Sequence, residues 1–162
     1  MRETCIFKHQ ILIMKKISLI ISTLFFILTS FSKDAAEELK QADLAFNKLC
    51  QEKGMKTSFL EFADPNVIKL SNKEFAVRGK AELEKWFGDD AQDFKLEWKP
   101  DFAEASKSED LGYTFGNWRL TLKDGTIRYG NYMTVWKRQP DGSWKYVMDG
   151  GNGTPDNPDL WK

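Results

Sequence analysis

Apolar residues at Ala35, Leu39, Ala42, Phe46 and Leu49 recur every three or four positions. That spacing predicts an amphipathic helix over residues 34–53. Asp34, Glu37 and Glu38 put acid at its start, where the helix dipole favours it, and Gly54 supplies a stop. Residues 55–63 (MKTSFLEFA) predict a short second helix with Met55, Phe59 and Phe62 inward, and Asp64-Pro65-Asn66 then breaks the chain. Short strands are predicted at 67–70 and 74–78 around a loop at 71–73. Gly79 introduces a third helix over 80–87, with Leu83, Trp86 and Phe87 as its apolar part. From residue 94 the period changes to two, because Phe94, Leu96 and Trp98 alternate with Lys95, Glu97 and Lys99. Pro100 marks a bend, and 101–106 returns as another strand. Two long strands, 111–122 and 126–138, meet at Lys123-Asp124-Gly125, and Gln139-Pro140-Asp141-Gly142 leads into a last strand at 143–149. The tail from Gly150 is rich in Gly, Pro and Asn and is expected to be loosely ordered. Helices followed by an antiparallel meander spell an α+β fold. In 126–138, Tyr132 and Trp136 share one face while Ile127, Met133 and Val135 share the other. The helices should cover one face, and the second is a landing site for a partner subunit.

The first 32 residues follow a different logic. Lys15 and Lys16 precede a run of mostly apolar residues from Ile17 to Leu28, and small polar residues follow. This is the pattern of a secretory signal, with Ser30 and Ser32 before the cleavage point. The run is short of the ~20 residues a membrane-spanning helix needs. Met14 stands directly before the lysine pair and would make a normal start. The expected organisation is therefore a signal over 1–32, a domain over 33–151 and a flexible tail over 152–162. The product is expected to be exported to the periplasm or the exterior of a bacterial cell, free of the membrane after cleavage.

Cleavage changes the arithmetic. Lys+Arg and Asp+Glu stand at 24 each in the full chain. The leading segment removes four bases (Arg2, Lys8, Lys15, Lys16) and one acid (Glu3), which leaves a net charge of −3. Nothing in that balance suggests nucleic acid as a partner. His9 is the only histidine, and Cys5 leaves with it, so Cys50 is the one remaining cysteine. The mature chain thus excludes Ser-His-Asp and Cys-His catalysis, a His-ligated zinc site, a thiolate cluster and an intrachain disulfide. Acid–base work would fall to Asp, Glu, Tyr or Lys. Cys50, beside the apolar stripe, is expected to be a buried, inert thiol. Asp89, Asp90 and Asp93 lack calcium-loop spacing and are expected to be a solvated loop, so neither metal nor cofactor is expected.

Four stretches carry a resemblance: ADLAFNKLCQEKGMKTSFLEF (42–62), RGKAELEKWF (78–87), DLGYTFGNW (110–118) and YMTVWKRQPDGSWKYVMDGG (132–151). Together they resemble the nuclear transport factor 2-like group, also called SnoaL-like or cystatin-like cone proteins. Within that group they look like the branch named domain of unknown function 4440. The resemblance spans nearly all of the mature chain. It implies three N-terminal helices packed on a strongly curved antiparallel sheet, which forms a cone with a central pocket. This fold hosts isomerases, dehydratases, cyclases, binding proteins and assembly domains, so it does not by itself choose a function.

Candidate pocket residues are Phe46, Phe59, Phe62, Trp86, Phe115, Trp118, Trp136 and Arg78, with Tyr113, Tyr132 and Trp144 among the further wall aromatics. The same aromatics would equally serve as packing. Asp149, beside this cluster, is a candidate general base, or a cap for the tail. Tyr132 and Tyr113 are candidate oxyanion donors, or ordinary core. Arg78 could hold a ligand carboxylate bidentately or pair with Glu74 or Glu82. Asn117, Arg119, Asn131 and Thr134 lie on the long strands with their facing open. Steroid isomerases of this fold use a Tyr on the first helix and an Asp on the first strand. By ungapped alignment those positions hold Phe46 and Leu70, so that mechanism is not expected.

Three functions stay in view. The first is an exported binding domain for a small apolar or aromatic molecule. The second is a cofactor-independent isomerase, dehydratase or cyclase using Asp149 with a pocket Tyr. The third is a dimeric interaction module with a vestigial pocket. All three carry the expectation of a homodimer through the outer sheet face.

Overall fold

A computed structural model describes residues 34–72, 74–88 and 93–161. The expected signal segment, with Cys5 and His9, lies outside the described residues, as do Asp89 and Asp90.

Helix α1 (Ala35–Lys53) begins on an Asp34 cap whose carboxylate accepts from the Ala36 N–H, and it ends on Gly54. Gly54 has φ of 82°, a left-handed conformation natural to glycine, and it is also the N-cap of α2 (Met55–Phe62). A single residue thus turns the chain between two packed helices. Strand β1 (Ala63–Lys69) follows without a gap, then β2 (Val77–Arg78) and helix α3 (Lys80–Phe87). The meander is β3 (Phe94–Ala105), β4 (Leu111–Leu122), β5 (Ile127–Arg138) and β6 (Trp144–Gly153), and a 3-10 turn at Pro158–Trp161 closes the chain. The sheet order is β2-β1-β6-β5-β4-β3. Among the described residues, three helices on a six-stranded sheet make an α+β fold.

Four local expectations need correction. The sheet is mixed rather than wholly antiparallel, because β1 runs parallel to β6. Asp64-Pro65-Asn66 does not end the element. It sits inside β1 as an irregularity in the pairing, where the Asp64 carboxylate accepts from the Asn66 N–H. Pro100 does not divide two strands. It lies in the continuous edge strand β3, where a missing N–H is tolerated, and Asp101 is the extra residue of a bulge between the Pro100–Gly116 and Phe102–Phe115 pairs. The last strand does not stop at 149, since Gly150 to Gly153 pair with Met133 to Gly130. Beyond it, the Thr154 N–H donates to the Tyr129 carbonyl, and the Trp161 ring lies 4.7 Å from the Arg119 guanidinium.

The core lies between the helices and the inner face of the sheet. Phe46 is its centre, with ring centroids of Phe59 and Trp98 both at 4.7 Å, Phe62 at 5.0 Å and Tyr146 at 5.6 Å. Leu39 of α1 packs so closely on Gly112 of β4 that a Cβ there would stand 2.4 Å from the leucine Cδ1. Burying Phe46 in such a nest contributes on the order of 2–3 kcal/mol. The outer face is left with Phe102, Leu111, Phe115 and Met133 exposed.

Candidate functional site

The inner face carries an open-mouthed cavity of about 310 Å³. Its walls are Phe46 of α1, Met55 and Phe59 of α2, Phe94, Leu96 and Trp98 of β3, and Trp118 and Leu120 of β4. Leu70, Ser71, Asn72, Trp86 and Gly150 to Asn152 also line it. One corner is polar, formed by Lys69, Tyr132, Thr134 and Asp149.

Strand geometry explains that corner. On β5, positions 130, 132, 134 and 136 point inward, which puts Tyr132 and Thr134 on the cavity side. On β6 the alternation is interrupted. Val135 pairs with Met148 and Trp136 with Tyr146, so Val147 is an extra residue. This bulge turns Asp149, rather than Met148, to the same side as Tyr146. Asp149 lies opposite Thr134, whose hydroxyl donates to Oδ1 at 2.7 Å. Lys69, the last residue of β1, is the parallel cross-strand partner of Asp149. Its Nζ stands 3.0 Å from Oδ2, and both side chains are only 11–12% exposed. The same Nζ donates to the Leu70 carbonyl and lies 5.7 Å from the Phe59 ring centroid.

A second polar group backs the cavity. Asp43 is fully buried on α1. Its Oδ1 accepts from Trp98 Nε1 at 2.6 Å and its Oδ2 from the Tyr132 hydroxyl at 2.7 Å. The Thr114 hydroxyl is a third partner and itself accepts from Trp136 Nε1. Burial pushes the Asp43 carboxyl up to about 6, against the pull of these donors, and the charge of Asp149 adds to the rise. Burial, and then the neighbouring Asp43 charge, push the Tyr132 phenol well above its ordinary value, so it stays neutral. Burial likewise pushes the Cys50 thiol up.

The candidate residues are sorted by this geometry. Asp149, Tyr132, Phe46, Phe59, Trp86 and Trp118 line the cavity. Trp86 stands at the mouth and donates to Glu74. Trp118 covers Gly130, where a Cβ would fall 2.1 Å from the indole, and donates to the Asn131 carbonyl. Phe62 and Trp136 sit one layer back, packed on each other and on Phe46. Two placements are corrections. Tyr113 and Phe115 occupy odd positions of β4 and face outward, where Tyr113 donates to Glu104 and Phe115 is 42% exposed. A third correction concerns Arg78, which is exposed on the edge strand beside a shallow groove with Glu82 and Trp86, away from the cavity.

Of the open strand residues, Thr134 faces inward, while Asn117, Arg119 and Asn131 face outward. Asn131 donates to Asn117, Asn117 to the bulged Asp101, and Arg119 to Glu97. Lys69 and Asp43 were not anticipated. Among the described residues, no group of three or more His, Cys, Asp or Glu side chains is placed to hold a metal ion. Phe46 and Leu70 both line the cavity, and Leu70 lies just past the end of β1.

No protein-family model matches the chain. No curated protein matches its sequence. Solved structures do match in shape. A ketosteroid isomerase-like protein from Erwinia carotovora atroseptica superposes with a TM-score of 0.59 at 15% identity, over 78% of this chain and 100% of that one. An NTF2-like protein with a cystatin-like fold from Novosphingobium aromaticivorans gives 0.61 at 12% identity, over 87% and 92%. A protein of Catenulispora acidiphila, solved in complex with S-DNPA, gives 0.58 at 10% identity, over 72% and 91%. The chain therefore has the NTF2-like, cystatin-like cone fold.

Proposed function

We propose that this protein is an exported binding domain whose cone holds a small apolar or aromatic molecule. The observation that carries the reading is the cavity itself: about 310 Å³, walled mainly by aromatic and aliphatic side chains, with its polar groups gathered in one corner. That combination of apolar walls and a few convergent polar groups is what small-molecule sites share. The Catenulispora acidiphila protein of the same fold, solved with S-DNPA, supports it by analogy of fold. The finer placement in the domain of unknown function 4440 branch rests on the four resembling stretches.

An enzyme using Asp149 with Tyr132 is the second reading, favoured by their shared position on the cavity wall. The binding reading is preferred because Asp149 is already engaged by Lys69 and Thr134, while Tyr132 has committed its proton to Asp43. The exposed apolar residues of the outer sheet face support a homodimer as the working assembly.

Native mass spectrometry tests the reading on the full chain, expressed with its N-terminal segment and purified gently from the exported fraction. The expected result is a mature chain cut after Ser32, dimeric, carrying a non-covalent mass of a few hundred daltons that is lost on denaturation. A chain that stays empty after exposure to a library of aromatic compounds would count against a binding function.

A further inference from the structure

We propose that the Lys69–Asp149 pair sets the selectivity of the cavity, admitting neutral ligands with one hydroxyl or carbonyl group and rejecting anions and cations of the same shape. This rests on the cavity being a ligand site, as proposed above. Among the described residues lining the cavity, Lys69 and Asp149 are the charged ones, and they stand 3.0 Å apart. At that separation each charge is compensated by the other, so neither offers the cavity a free counter-charge. A ligand carboxylate reaching for Lys69 meets the Asp149 carboxylate, and a ligand ammonium reaching for Asp149 meets Lys69. Neither incoming charge finds an uncompensated partner, and each would leave water for apolar walls, which is costly for an unpaired ion. A neutral group escapes that cost. A hydroxyl can donate to a free lone pair of Asp149, whose oxygens accept only from Thr134 and Lys69 among the described residues, and a carbonyl can accept from the Lys69 N–H that neither Asp149 nor the Leu70 carbonyl takes.

The placement singles out this pair for selectivity. Asp43, the other buried carboxyl nearby, does not line the cavity and is held by Trp98, Tyr132 and Thr114 behind the wall. The pair is seated by parallel pairing of β1 with β6 and by the Leu70 N–H donating to the Asp149 carbonyl, so both backbones are fixed. The remaining lining is apolar or uncharged and would accept a flat ring system regardless of its substituent.

Four probes of one shape test the inference by isothermal titration calorimetry of the full chain near pH 7: naphthalene, naphthol, naphthoate and naphthylmethylammonium. The parent protein should bind naphthol tightest, with both ions weaker by roughly tenfold or more. Asp149→Asn leaves Lys69 uncompensated and should improve naphthoate roughly tenfold relative to naphthol. Lys69→Met leaves Asp149 uncompensated and should improve naphthylmethylammonium instead. A purely structural ion pair would weaken all probes alike and would not invert the order in opposite directions. Either ion matching naphthol on the parent protein overturns the inference, as does an unchanged order in whichever variants fold. If even naphthalene fails to bind the parent, the cavity reading itself fails and takes the inference with it.

Discussion

The Tyr132 hydroxyl donates to Asp43 Oδ2 across 2.7 Å, tying a cavity-lining phenol on β5 to a carboxylate at the heart of α1. A carboxylate buried so deeply is costly unless its oxygens are well supplied with donors. Tyr132, Trp98 and Thr114 supply them from three different strands. The cluster therefore locks the first helix to the sheet at one register and fixes the rear wall of the cavity.

Asp43 makes stability pH-dependent. Its carboxyl is raised from 3.8 to about 6 in the fold. It binds its proton more tightly folded than unfolded, so the folded state gains as pH falls from about 6 towards 4 and loses as pH rises through the same window. A rise from 3.8 to about 6 corresponds to roughly 3 kcal/mol. Urea denaturation of the parent and of Asp43→Asn should show the parent's relative stability larger at pH 4.5 than at pH 7. A difference that stays flat across the window would reject the assignment.

Tyr132→Phe removes one charge-assisted donor and leaves the packing in place. The expected loss at pH 7 is about 1.5–3 kcal/mol, with the Asp43 midpoint moving further up as its anion loses support. Carboxyl carbon NMR can follow that midpoint directly. An unchanged midpoint would mean that the phenol does not serve the buried carboxylate.

Gly130→Ala tests the cover that Trp118 forms over the strand. The added Cβ would lie 2.1 Å from the indole and 2.2 Å from the Asn152 carbonyl oxygen. Overpacking of this kind costs about 1–3 kcal/mol. The variant should melt earlier and show a shifted tryptophan emission, because the indole on the cavity wall must move.

The outer sheet face carries the dimer proposal. Phe115 and Met133 are a direct cross-strand pair and both are exposed. Phe115→Glu together with Met133→Glu should convert a dimer to a monomer in sedimentation at micromolar concentration, with the far-ultraviolet spectrum unchanged. A parent chain that is already monomeric would refute the proposal at once.

Helix positions and strand order along the chain were legible because they depend on local periodicity. Leu39, Phe46 and Cys50 fell on or beside the apolar stripe, and the 80–87 helix appeared with its expected ends. What was not legible depends on partners distant in sequence. Asp43 sits in line with Leu39 and Phe46 on the buried face, but Ala42 satisfied the apolar pattern equally well, so nothing singled the acid out. Its burial is explained by distant donors, Trp98 at 55 residues away, Tyr132 at 89 and Thr114 on the strand between them. Lys69 carried no local signal at all, since its meaning comes from parallel pairing with a strand at the other end of the domain. The facing of Tyr113 and Phe115 was lost for a related reason. Apolar residues on both faces of β4 leave the alternation unable to say which is inside.

The extra residue at Val147 bears on how such a protein can change. It is the one residue by which β6 exceeds its partner between the Trp136–Tyr146 and Val135–Met148 pairs, so the ladder on either side stays in phase without it. Loss of that one codon would leave Met148 opposite Val135 and Asp149 opposite Thr134 in a regular ladder, so the ionic corner would survive the deletion. A lineage could therefore shed the bulge in one small deletion and keep both the Lys69–Asp149 corner and the Phe46 nest that stabilises the domain.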